Sequence, residues 1–110
     1  MPPRNVGLPP GTLILLILRV VRSAPLHGYA IAQRIRALSG DALSVEEGSL
    51  YPALQKALAN GWLNAEWTTS ETGREVRTYR LTRGGRKQLE AEQQEYQRTA
   101  DGIAAILRSA

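Results

Sequence analysis

The chain has 110 residues, room for one small domain whose core leaves apolar surface over. It has no cysteine, which excludes disulfides and thiolate metal sites, and one histidine, which leaves no His pair for zinc and no evident triad for hydrolysis. The net charge of +4 is uneven: five arginines face one aspartate over residues 1–45, and five arginines and a lysine face two glutamates over 67–88, as in a basic binding face beside a mildly acidic association element.

Residues 1–11 are rich in Pro and Gly and read as a flexible N-terminal arm. Thr12 is placed to cap a first helix from about Leu13 to Arg22. That helix is apolar almost all round, so it belongs in the middle of the assembly. Its apolar run is too short to cross a membrane, which takes about 20 residues, and the prolines before it do not suit a signal peptide. Ser23-Ala24-Pro25 ends it. A second helix is expected from about Gly28 to Leu38, with Tyr29, Ile31, Ala32, Ile35 and Leu38 facing inward and Ser39-Gly40-Asp41 closing it. His27 reads as a structural residue at the entry of this helix.

The stretch LSVEEGSLYPALQKALANGWL, Leu43 to Leu63, carries the densest information. Ser44 and Glu47 have the spacing of a capping box. Leu50, Ala53, Leu54, Ala57 and Leu58 make one apolar face, and Gly61 stops the helix. Ser49, Tyr51, Gln55 and Lys56 point the other way. A buried back with a hydrogen-bonding front is the geometry of a recognition helix, and these side chains suit base edges and phosphates; for Tyr51, packing against the second helix is the competing account. Pro52 lies inside the helix if it begins at Ser44, or in its first turn if it begins near Ser49.

Two alternating runs follow, Leu63 to Thr68 and Val76 to Leu81, joined by a polar tip containing Gly73, which predicts a β-hairpin. At the tip Gly73 permits the tight turn and Arg74 suits a narrow minor groove, with Arg77 following the backbone. Trp62 and Trp67 are expected in the core of the hairpin. Thr82 is placed to cap a long last helix from Arg83 to about Arg108. Its apolar positions Leu89, Tyr96 and Ile103 recur at steps of seven, flanked by Leu107, which is the mark of a helix packing along another helix. Arg83, Arg86 and Lys87 open it, either beside a phosphate or paired with Glu90.

The pieces make a mainly α chain with a small β-hairpin: a winged helix-turn-helix over 12–82 and a dimerisation helix over 83–110. Four segments, PLHGYAIAQRI (Pro25 to Ile35), EEGSLYPAL (Glu46 to Leu54), NGWL (Asn60 to Leu63) and RTYRLTRGGRKQL (Arg77 to Leu89), resemble the PadR-type bacterial transcriptional regulators, as does the opening GTLILLIL (Gly11 to Leu18). The likeness spans about residues 8–90. It departs at Ala57-Leu58-Ala59, where relatives often carry charged residues.

The resemblance implies a cytoplasmic homodimeric repressor of the family's short form, with a single C-terminal helix and no enzymatic activity. It further implies double-stranded DNA as partner and release by a small, often aromatic effector. No metal, cofactor or membrane partner is expected. On this reading Ser49, Tyr51, Gln55, Lys56, Gly73, Arg74 and Arg77 bind DNA. Leu13, Leu16, Leu89, Tyr96, Ile103 and Leu107 build the dimer core, and the paired first and last helices leave room for an apolar effector slot with Tyr96 as a stacking surface; for Trp62 and Trp67, stacking there is the lesser alternative to the hairpin core. A dimeric winged-helix adaptor that binds protein and not specific DNA is the alternative.

Overall fold

A computed structural model describes Leu8 and residues 11–110; the N-terminal arm otherwise lies outside the described residues. The elements run α1 (Thr12–Ser23), β1 (Leu26–His27), α2 (Gly28–Leu38), α3 (Glu47–Ala59), β2 (Leu63–Thr69), β3 (Glu75–Leu81) and α4 (Arg83–Arg108). The strands form one antiparallel sheet in the order β1-β3-β2. The long hairpin pairs Leu63 with Leu81 at its base and Thr69 with Glu75 at its tip. β1 was not foreseen as a strand: it adds two residues against β3, Leu26 opposite Tyr79 and His27 opposite Thr78.

α1 touches α2, α3, α4 and β3, which is why it is apolar on nearly every side. Its Ile17 and Leu18 are fully buried together with Ile31 of α2, Leu54 of α3, Leu63 of β2 and Leu89 of α4. Gly11, with φ +86°, occupies the N-cap position assigned to Thr12, so Thr12 opens the helix instead of capping it. His27 does start α2 structurally: its Nδ1 accepts the Ala30 N–H at 3.3 Å. Two of the α2 residues expected inside are exposed, Tyr29 at 67% and Leu38 at 66%. Tyr29 lies about 160° round the helix from Ile31, on the far side from the core, while Leu38 shares the buried face but runs past its end.

α3 does not begin with the expected capping box. Glu46 is its N-cap, no side chain caps it, and the Ser49 and Leu50 amides both donate to the Glu46 carbonyl at 3.0 Å. Ser44 sits upstream in an extended stretch whose neighbours Leu43 and Val45 pack on the core, with the Leu43 amide donating to Ser39 Oγ at 3.0 Å. Side-chain packing of this stretch wins over the local cap. Pro52 is therefore the sixth helical residue, inside the helix. It removes the bond to the Gly48 carbonyl, but both residues are exposed, so solvent reaches that oxygen. The far end follows the sequence: with Asn60 as C-cap, Gly61 N–H bonds Leu58 O and Trp62 N–H bonds Ala57 O, the Schellman pair, with Gly61 at φ +74°.

The start of α4 is stitched to that same corner. Thr82 Oγ1 accepts the Gly85 N–H at 2.9 Å and donates to the Gly61 carbonyl at 2.6 Å, while the Thr82 amide donates to the Trp62 carbonyl. α4 then packs on α1 through Leu89 and leaves the body. Leu89, expected at a dimer interface, is 1% exposed within this one chain; its surface is taken up by the protomer's own core and is not offered to a second copy. Farther along, Tyr96, Ile103, Ile106 and Leu107 are exposed. No helix among the described residues is long and apolar enough to cross a membrane.

Candidate nucleic-acid interface

Leu50, Leu54 and Ala57 anchor α3 to the core, which turns Ser49, Tyr51, Gln55 and Lys56 outward, all exposed. Helical geometry sorts these four into two rows. Tyr51 and Gln55 are one turn apart along one edge; Ser49 and Lys56, seven residues apart, line the opposite edge. Between the rows, the crest of the exposed face carries only Gly48, Pro52 and Ala59. Short residues on the crest let the helix axis approach a groove floor while the longer side chains reach down on either side. Of the uncharged Ala57-Leu58-Ala59, Ala57 is fully buried and Leu58 half-buried, so only Ala59 withholds charge from this face.

The hairpin rises beside the Tyr51/Gln55 edge. Its tip closes with Ser70 N–H donating to Arg74 O at 2.7 Å and Gly73 N–H to Ser70 O at 2.9 Å. Gly73 holds φ +82°, a left-handed conformation that glycine adopts without strain. Arg74 and Arg77 are exposed and in no ion pair among the described residues, whereas Arg80 is tied to Glu66 at 2.9 Å on the other face of the hairpin. The free guanidiniums are thus at the tip and on the flank toward α3. Arg83, Arg86 and Lys87 are likewise exposed, and no pairing with Glu90 forms.

Between α2, α3 and the hairpin lies a cleft of about 450 Å³ whose walls include Tyr29, Tyr51, Gln55, Trp67, Arg77 and Tyr79. It brings Tyr51, Gln55 and Arg77 together; Ser49 and Lys56 stand outside it, as do Gly73 and Arg74 at the tip. Tyr79 forms the floor, 3% exposed, and burial pushes its phenol above the ordinary value, with Arg77 pulling it back and Tyr51 adding to the rise. Its hydroxyl therefore stays protonated at neutral pH.

Trp67, like Tyr29, is a cleft residue that sequence reasoning misplaced. Expected in the hairpin core, it is 69% exposed and faces this cleft. It shares a strand face with buried Leu63 and half-buried Ala65, but that row runs outward along the hairpin, so its third member has left the core. Its cross-strand partner is Arg77, and a charged neighbour at that position was the available signal. Trp62, by contrast, is partly buried and packs on the core as expected.

The profile of the transcriptional regulator PadR-like family matches residues 17–91. Comparison with curated proteins gave no match. Among solved structures, the smu.1704 protein of Streptococcus mutans UA159 is 30% identical, with 88% of this chain and 87% of that one covered and a TM-score of 0.78. A PadR family transcriptional regulator from Eggerthella lenta DSM 2243 is 27% identical over 91% of this chain and 85% of that one, at a TM-score of 0.75. A transcriptional regulator from Clostridium thermocellum, Cth-833, shares the fold at a TM-score of 0.81 with 24% identity, over 89% of this chain and 95% of that one.

Proposed function

The chain belongs to the transcriptional regulator PadR-like family, and from that premise we propose that it is a homodimeric repressor of a palindromic operator, released by a small apolar or aromatic effector. The observation that carries the DNA reading is the exposed face of α3, two polar rows about a smooth crest, standing beside a hairpin with unpaired arginines. α3 enters the major groove, Tyr51 and Gln55 meet base edges from one row, and Lys56 clamps phosphate from the other. Arg74 reaches the minor groove from the tip and Arg77 follows the backbone. Two copies joined through α4, with recognition helices about 34 Å apart, read the two halves of a palindrome. As an adaptor the chain has no use for unpaired arginines on the hairpin.

Fluorescence anisotropy with DNA from upstream of its own coding region, at two salt concentrations, tests the proposal. Tight binding that survives random competitor and falls with salt is expected. Lys56→Ala and Arg74→Ala weaken binding on every sequence and flatten the salt dependence by about one unit of slope each. Gln55→Ala relaxes preference at one position per half-site, by about 1–3 kcal/mol of discrimination. Uniform weakening by Gln55→Ala removes its base-reading role. Failure to select any sequence from a random library returns the chain to the adaptor reading.

A further inference from the structure

The cleft between α2, α3 and the hairpin contains more than the residues that the DNA reading uses. Three aromatic side chains around it are exposed, Tyr29 at 67%, Tyr51 at 62% and Trp67 at 69%, and each comes from a different element. Tyr79 floors it. Large exposed aromatics gathered around one concavity mark a binding surface, and about 450 Å³ is in the range of small-molecule sites. Two carboxylates also line it, Glu47 from the first turn of α3 and Glu75 from the start of β3, and neither is in an ion pair among the described residues. Against them stands one guanidinium, Arg77. The cleft is therefore net negative in a chain that is net positive, and exposed aromatic side chains line it.

We propose that this cleft binds a small organic cation, an alkyl or aryl ammonium, held by the faces of Trp67, Tyr51 and Tyr29 and by the carboxylates of Glu47 and Glu75. A weakly hydrated ammonium gains from aromatic faces what a phosphate or a carboxylate cannot, and two unpaired acids supply the countercharge. An anionic occupant has only Arg77 to set against both acids. Because Tyr51, Gln55 and Arg77 line the same cleft, the cation and DNA compete for one surface. That competition rests on the regulator reading, whereas binding of the cation does not. Release then needs no movement transmitted from a distant helix.

Isothermal titration of the full chain with benzyltrimethylammonium, benzyl alcohol and phenylacetate tests the site. Saturable binding of the cation, about tenfold or more tighter than either analogue, is expected. Trp67→Leu and the Glu47→Gln/Glu75→Gln double variant each weaken it by about tenfold while circular dichroism is unchanged, since all three side chains are exposed. Preference for phenylacetate, equal binding of all three probes, or cation affinity untouched in both variants overturns the proposal. With a labelled DNA fragment bound, the cation lowers anisotropy at concentrations set by its own affinity. Cation binding with DNA still held overturns the competition, and a chain that takes the cation but never binds DNA upholds the site and overturns the regulator reading.

Discussion

Gly85→Ala is expected to lower the melting temperature by about 10 °C or more, while Gly84→Ala leaves it unchanged or slightly raised. The two glycines are adjacent in the first turn of α4, yet their surroundings differ. A Cβ at Gly85 runs into the Trp62 carbonyl oxygen, lies 3.0 Å from the Trp62 carbonyl carbon and meets Leu81 Cδ1 at 2.6 Å. That carbonyl is fixed, because it accepts the Thr82 amide at 3.1 Å at the corner where Thr82 also holds Gly61. Backbone cannot yield as a side-chain tip does, so overpacking here costs about 3 kcal/mol, the upper end of the usual range. A Cβ at Gly84 is 3.6 Å from the Gly61 carbonyl, an ordinary contact, and alanine favours the helix by about 1 kcal/mol. Thermal unfolding followed by circular dichroism, at one protein concentration, separates them. Similar melting of the two variants contradicts the steric account.

The same corner shows what the sequence carries and what it withholds. Gly61 as a helix stop and Thr82 as a cap were legible because each acts on backbone within a few residues of itself. Gly85 was not, because its neighbour Trp62 lies more than twenty residues away and no local pattern encodes a close approach. The exposed row of α3 followed directly from the spacing of Leu50, Leu54 and Ala57. Two of the misreadings, Leu38 and Trp67, share one cause. Periodicity tells which side of an element a residue occupies, not how far the core extends along it, and so Leu38 and Trp67 lie on buried-facing rows but beyond the core. Two-residue β1 has no period to read. The cleft is assembled from α2, α3 and the hairpin together, so its acids and aromatics appear scattered until the chain is folded.

Leu89 and Ile103 stand two heptads apart on one row of α4, and substitution is expected to separate them by consequence. Leu89→Ala should unfold the protomer, losing about 2–5 kcal/mol, because Leu89 is buried among core residues of its own chain. Ile103→Glu with Leu107→Glu should instead leave the winged domain folded and abolish association. Ile103 and Leu107 are 53% and 79% exposed, too large a share of apolar surface to stand in water on the end of a 26-residue helix. In the proposed dimer a second α4 laid along this row would bury them with Tyr96, each side chain contributing about 1.5–3 kcal/mol, and would cover Leu13 and Leu16, which are half-buried on α1. Two glutamates per copy, four in the proposed dimer, would reverse that gain and add like-charge repulsion. Light scattering should then report a monomer, and affinity for a palindrome should fall by about a hundredfold or more as the two half-sites lose their linkage. Helicity should fall as well, because the end of α4, without a partner helix, depends on intrinsic propensity alone and a few turns do not hold in water. If the double variant stays dimeric, the contact between copies lies elsewhere; if it is monomeric yet binds a palindrome as tightly as before, the operator is read by single copies and its symmetry carries no information about the protein.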